Sequence, residues 1–289
     1  MTVLTQCQKN QFWEQGFLVV EDVVERDHLA SMQAQFASWV QASKAHDSAY
    51  GSTIDGRARF DVESGHSFEQ PSLRRINAPI EVSEVFFNAS MNSKMTDCIS
   101  DLLGANVKFH HAKINSKLPN SSTVVKWHQD FPFTPHTNDD LITALLMVDD
   151  VTEENGPLKV VPNSHKGPIY SLWHNGAFTG AIDNQKALEC EKSAVLCTGK
   201  AGSVCLMHTR LLHGSSANQS SAPRTLHISV YSAEDAVPVS PNPVPSKYDG
   251  LVVRGKKTGR VRASNFNIEM PEMPDKASFF EQQKHHQTD

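Results

Sequence analysis

The residues most able to do chemistry sit in Trp127-His128-Gln129-Asp130-Phe131. In a strand, residues two apart project to one face, so His128 and Asp130 can present an imidazole and a carboxylate to the same ion. Two protein ligands hold a transition metal poorly, and His213 in Leu211-Leu212-His213-Gly214-Ser215 is the candidate third. Two histidines and a carboxylate on one face of a metal leave positions open for a co-substrate and O2, as in non-heme Fe(II) oxygenases. The same ligands would also serve zinc in a hydrolase. Arg224 lies eleven residues beyond His213. Its planar fork suits a dicarboxylate, which it can grip bidentately. His208 competes for the third ligand position but lacks the Gly-Ser that follows His213.

Short strands are needed to hold such a set, and the chain supplies them. Val107 to Ile114, Val124 to Phe131, Leu141 to Val148, Leu158 to Val161, Ala194 to Cys197, Ser203 to Met207 and Thr225 to Tyr231 read as strands separated by Gly, Pro and Asn turns. With period two, Phe109, His111, Lys113 and Asn115 share a face of the first. Lys113 there is either at a solvent edge or inside a pocket awaiting an anion. Helices come first. Thr5-x-x-Gln8 begins a capped helix that stops at Gly16, and Phe17 to Val20 is a strand. Leu29, Met32, Phe36 and Val40 mark a second helical face within 23–42, and apolar spacing from Val82 to Leu103 predicts one or two more. Residues 43–70 read as a long loop or a small excursion, of a length that often serves as a lid or binding segment, and 170–192 as an irregular second flap.

Bulk properties exclude several classes. The 289 residues carry 39% hydrophobic and 20% charged residues, an ordinary soluble composition. A formal net charge of -5 gives no basic footprint for nucleic acid. No run approaches the length of a membrane span and no secretory start is visible, so a cytoplasmic protein is expected. The five cysteines are widely spaced, without Cys-x-x-Cys, and read as reduced thiols. The Pro-rich end turns basic at Arg254, Lys256, Lys257, Arg260 and Arg262, a solvated tail or a lid, and Lys284-His285-His286 reads as disordered.

In order along the chain, Trp127-His128-Gln129-Asp130, Glu154-Asn155-Gly156-Pro157-Leu158, Val161-Pro162-Asn163-Ser164-His165-Lys166 and His213-Gly214-Ser215 with Arg224 resemble the phytanoyl-CoA dioxygenase family of Fe(II)/2-oxoglutarate oxygenases. The resemblance covers about 5–232. It implies a mainly β fold with flanking helices around a double-stranded β-helix, a cupin-like jelly roll. A single oxygenase domain over 1–289 is expected, with a helical part to about 104, a core over about 105–235 and an extension over 236–289.

Carried over by position, His128, Asp130 and His213 look like the iron ligands and Arg224 like the clamp on 2-oxoglutarate. Asn115 matches a position beside the co-substrate, and Arg75, or its neighbour Arg74, is similar in placement to a basic residue near the co-substrate's other end. The implied cofactors are Fe(II), 2-oxoglutarate and O2, with ascorbate as reductant. Related halogenases replace the carboxylate by a small residue, so Asp130 favours hydroxylation. Lys113 is the candidate substrate contact. The resemblance extends to bacterial enzymes acting on small polar molecules, 2-aminoethylphosphonate hydroxylases among them, and a small-molecule substrate is expected. The rival readings are the zinc hydrolase and a non-catalytic cupin-like binding module. His165 is expected to be structural, and His110, His136, His174 and His227 to be surface or supporting groups.

Overall fold

The computed structural model describes residues 2–119, 121–274 and 276–284, so the tail histidines His285 and His286 lie outside the described residues. Its strands are β1 (Phe17–Val20), β2 (Phe60–Val62), β3 (Leu73–Asn77), β4 (Val107–Lys117), β5 (Val125–His128), β6 (Leu141–Met147), β7 (Leu158–Val160), β8 (Trp173–His174), β9 (Ala177–Phe178), β10 (Val195–Cys197), β11 (Val204–His208), β12 (His213–Ser215), β13 (Arg224–Ala233) and β14 (Val252–Arg254). The helices are α1 (Gln6–Gln15), α2 (Arg26–Ser43), α3 (Glu84–Met91), α4 (Lys94–Leu103), α5 (Asn184–Ser193) and α6 (Phe280–Lys284).

Two antiparallel sheets make the jelly roll. The larger runs β1-β11-β6-β13-β4-β3-β2, with β14 also pairing β4, and the smaller runs β10-β7-β12-β5. Alternation along the strands divides the core. Ile142, Ala144 and Leu146 of β6 pack with Phe12, Met32, Phe86 and Ile99 of the helices, whereas Leu145 and Met147 pack with Leu158 and Val160 of the other sheet. Each fully buried large apolar side chain contributes about 1.5–3 kcal/mol. The helical layer therefore anchors one face of the large sheet and leaves the other for the site.

On β4 the same alternation sends Ala112 and Ile114 to the helical core and leaves Lys113 and Asn115 facing the smaller sheet. Phe109 departs from the expected shared face. Val230 pairs with His111 but Tyr231 with Phe109, so His110 is an extra residue in the strand. This bulge resets the alternation and puts Phe109 into the helical core.

The N-terminal helix forms as expected, with the Thr5–Gln8 capping box and Gly16 at φ 84. The expected division near residue 104 is crossed by the large sheet, because β1, β2 and β3 all join it from the helical part. Residues 43–70 are not a lid over the metal ligands. They include β2 and buried Arg59 and Asp61, which hold neighbouring backbone and side chains. Apart from β2 and the end of α2, residues 43–70 are loop as expected, whereas 170–192 hold the β8–β9 hairpin and α5, capped by Asp183. In the basic stretch, Arg254 bonds Asp97 from β14 and Arg262 bonds Asp235, which ties both ends to the body. Among the described residues no helix is long and apolar enough to cross a membrane.

Candidate active site

The strand carrying the His-x-Asp pair ends earlier than period-two reasoning requires. β5 stops at His128, and Asp130 has αR backbone angles (φ -73, ψ -31) at the head of a short 3-10 turn over Phe131–Phe133. Pro132 lacks an N–H, so ladder pairing cannot continue there. Gln129, fully buried, fixes the intervening backbone: its amide donates to Pro168 O and Arg210 O, and its carbonyl accepts from Tyr170 N. His213 arrives by direct cross-strand pairing, opposite His128 on β12. Gly214 allows that close approach, since a Cβ there would lie 3.0 Å from Val125 O.

Together the three side chains form the metal-competent group. Their ligating atoms lie within 4.8 Å of one another, and among the described residues no other His, Cys, Asp or Glu cluster does this. Asp130 Oδ1 is 3.6 Å from His128 Nε2 and 3.5 Å from His213 Nε2. Adjacent ligands on bonds of about 2.1 Å would sit about 3 Å apart, so a shift of roughly half an ångström would bring Asp130 to ligand spacing from each histidine. The donor set is also correctly prepared. Each Nδ1 donates to a backbone carbonyl, His128 to Lys126 O at 2.7 Å and His213 to Leu211 O at 2.9 Å, which leaves both Nε2 lone pairs for a metal. Burial lowers the His128 pKa and keeps that imidazole neutral. Burial alone would raise the Asp130 carboxyl, but facing His213 and His128 and nearby Lys113 hold it well below the usual range.

Thr143 was not singled out from sequence. Its hydroxyl donates to Asp130 Oδ2 at 2.6 Å and leaves Oδ1 toward the histidines. The readable signal was one polar residue at an inward position of an apolar strand. Thr143→Val, nearly isosteric, is expected to weaken metal affinity about tenfold, since supporting hydrogen bonds of this kind are worth about 10–100-fold. Chelator competition measures this, and unchanged affinity would mean that the hydroxyl does not orient the ligand.

Two cavities meet at these residues, enclosing about 600 and 620 Å³ including their open mouths. His128, Asp130, Lys113 and Phe279 line both. The one between the sheets also has His213, Asn115, Arg74 and Arg224 in its wall. Arg224 is buried, its Nε donates to Gly156 O at 2.9 Å, and burial pushes its pKa down to about 10. Gly156 adopts φ +80 and a Cβ would meet Ser216 O at 2.7 Å, so the Asn155-Gly156 turn can present its carbonyl here only with glycine. Asn115 Oδ1 is buried without a partner, and Lys117 bonds Ser215 Oγ and Ser216 O beside it.

Of the two alternatives Arg75 and Arg74, each opens on a different cavity. Arg75 opens on the outer cavity with His111, Lys113 and Phe133, while Arg74 lines the inner one and pairs with Asp61. Lys113 is not at a sheet edge, because β4 lies between β13 and β3. Burial pushes Lys113 down to about 8 and Arg75 to about 10.

His208 does not join the metal group. It accepts from Arg210 N and packs against Trp13 and His165. His165 donates to Trp13 O, in keeping with a structural role, and Asn163 takes a left-handed conformation that asparagine tolerates. His110, His136 and His227 are buried rather than superficial, His227 contacting Ser90 beneath the sheet.

The residues that close the site were missed by sequence reasoning. Pro271, Glu272, Met273, Pro274, Phe279 and Gln282 of the C-terminal segment wall the outer cavity, with Glu272 exposed at its rim. Two adjacent aromatics in a polar tail were the available signal.

Comparison with known proteins fits this arrangement. The family model for phytanoyl-CoA dioxygenase (PhyH) matches residues 12–226. The chain is also 30% identical over 270 residues to the probable alpha-ketoglutarate-dependent hypophosphite dioxygenase of Stutzerimonas stutzeri, covering 91% of each. It belongs to the phytanoyl-CoA dioxygenase family of Fe(II)/2-oxoglutarate-dependent oxygenases. A second relative, L-proline trans-4-hydroxylase of Streptomyces griseoviridis, is 26% identical over 66% of this chain and 77% of its own length. The crystal structure of EctD from S. alaskensis with 2-oxoglutarate and 5-hydroxyectoine shares the fold, with TM-score 0.65, 24% identity, and coverage of 90% of this chain and 87% of that one. Family membership makes this protein a dioxygenase using iron and 2-oxoglutarate, and it disfavours the zinc hydrolase and the non-catalytic module.

Proposed function

We propose that this dioxygenase hydroxylates a small anionic or zwitterionic molecule, with hypophosphite and organophosphonates such as 2-aminoethylphosphonate as first candidates. The observation that carries this is the pair Arg75 and Lys113 in the outer cavity. Among the described residues neither has a carboxylate within 4.0 Å, and Arg75 Nη1 is buried without a partner. Arg75 Nε donates to Asn77 Oδ1 at 2.7 Å, which is a neutral partner, and cations held out of water without a carboxylate call for an anionic ligand. The hypophosphite dioxygenase relative supports the same class of substrate.

In this reading His128, Asp130 and His213 hold the iron, and Arg224 with Asn115 holds 2-oxoglutarate in the inner cavity. When bound, iron and 2-oxoglutarate supply oxidative decarboxylation to succinate and CO2 with transfer of oxygen to a substrate C–H, or for hypophosphite a P–H. Lys113 and Arg75 orient the substrate anion, Phe133 and Phe279 exclude water, and Thr143 fixes the Asp130 carboxylate.

The test is a screen of hypophosphite, phosphonates, amino acids and amines for substrate-stimulated succinate formation with Fe(II), 2-oxoglutarate and ascorbate. Anionic compounds are expected to stimulate. Lys113→Met should then raise the substrate KM about tenfold or more while leaving that for 2-oxoglutarate within about threefold. Stimulation by neutral amines alone would sink the anionic assignment.

A further inference from the structure

The two cavities are each lined by cations and share a mouth on the metal ligands, which poses a problem of discrimination. The co-substrate is itself a dianion. Arg224 and Lys117 line the inner cavity, Arg75 lines the outer one, and Lys113 faces both. Charge alone therefore gives 2-oxoglutarate two places to go. A repulsive or excluding element is the usual answer when attraction cannot discriminate.

Of the four residues lining both cavities, three are the polar His128, Asp130 and Lys113, and the fourth is Phe279. Its ring centroid lies 5.4 Å from the Arg75 guanidinium, 5.7 Å from Lys113 Nζ, 6.2 Å from the His128 ring and 5.2 Å from the Phe133 ring. The ring face thus covers both outer cations and stands beside the metal ligands. Negative π-density offers the cations some compensation, but an aromatic edge offers a carboxylate no hydrogen bond. The segment carrying it is pinned on both sides. Asn77 Nδ2 donates to Ala277 O at 2.7 Å and Ser278 Oγ to Asp61 Oδ2 at 2.8 Å, and Gln283 Nε2 donates to Gly180 O at 2.9 Å. Phe280 packs 5.0 Å beneath the Arg74 guanidinium.

We propose that Phe279 is the partition between the two anion sites, a specificity-determining residue that keeps 2-oxoglutarate off Arg75 and Lys113 and so reserves them for substrate. The proposal rests on the co-substrate and substrate cavities assigned above. A substrate small enough to fit beside the ring reaches the cations, whereas a five-carbon dicarboxylate does not.

Calorimetric titration of 2-oxoglutarate into anaerobic Fe(II)-loaded protein tests it. Wild type is expected to bind about one equivalent and Phe279→Ala about two, the second weaker, lost in Phe279→Ala/Lys113→Met and displaced by hypophosphite. Excess 2-oxoglutarate should then inhibit the variant competitively against substrate. If Phe279→Ala binds one equivalent with affinity within about twofold of wild type, or if its second equivalent survives Lys113→Met, the partition is overturned while the co-substrate assignment stands. Wild type binding none would overturn that assignment and the partition with it. Should the alanine variant not fold, Phe279→Val carries the same expectation, because it keeps an apolar group against Phe133 but is too short to cover the cations.

Discussion

Asp130→Ala is expected to abolish 2-oxoglutarate-dependent turnover, by about a thousandfold or more, with the fold intact. The carboxylate is the only anion in the cluster, so its loss leaves a divalent ion facing two neutral imidazoles whose rings lie 4.1 Å apart. Losing a mere supporting partner costs about 10–100-fold in metal affinity, and losing a ligand must cost more. Thr143 would also lose its acceptor. Stability responds differently. The buried carboxylate carries a desolvation cost, but its histidine neighbours and Lys113 outweigh it and favour the ionised form in the fold. The melting temperature of the metal-free variant should therefore fall by roughly 5–10 °C while the fold stays intact. Metal titration, succinate formation and a thermal melt together check this. Turnover within about tenfold of wild type would remove Asp130 from the reaction.

What could be read in the sequence was whatever depends on near neighbours. The Thr5–Gln8 box and the Gly16 stop each follow from local backbone chemistry, and each is in place. The His128, Asp130 and His213 group is together as well, though Asp130 reaches it from a turn and not from a strand face. Residues whose facing depends on distant partners could not be read. A one-residue bulge opposite β13 decides which way Phe109 points, and no local pattern announces it, whereas His111 shares the face of Lys113 as expected. Arg74 and Arg75 differ by one step on β3, which is enough to send them to different cavities. Phe279 meets His128 across about half the chain's length, a contact that only the closed fold creates.

Arg224→Ala is expected to weaken 2-oxoglutarate binding by roughly a hundredfold or more, because truncating one partner of a buried, hydrogen-bonded charge pair costs about 2–5 kcal/mol. Its Nε is already committed to Gly156 O, which leaves the two terminal nitrogens for a carboxylate in the fork geometry that guanidinium allows. Arg224→Lys keeps the charge but loses that fork, so an intermediate loss is expected. The ligand-free protein supplies an independent check. Among the described residues Arg224 has no carboxylate within 4.0 Å, and burial lowers its pKa, so the cation is held at a cost when no anion is bound. Removing it should leave the ligand-free melting temperature unchanged or raised. The stabilisation that 2-oxoglutarate confers by mass action should disappear in the same variant. A zinc hydrolase on the same three ligands would show no such dependence. If 2-oxoglutarate raises the melting temperature of Arg224→Ala as much as that of wild type, Arg224 is not the clamp, and the inner cavity must hold the co-substrate through Lys117 and Asn115 instead.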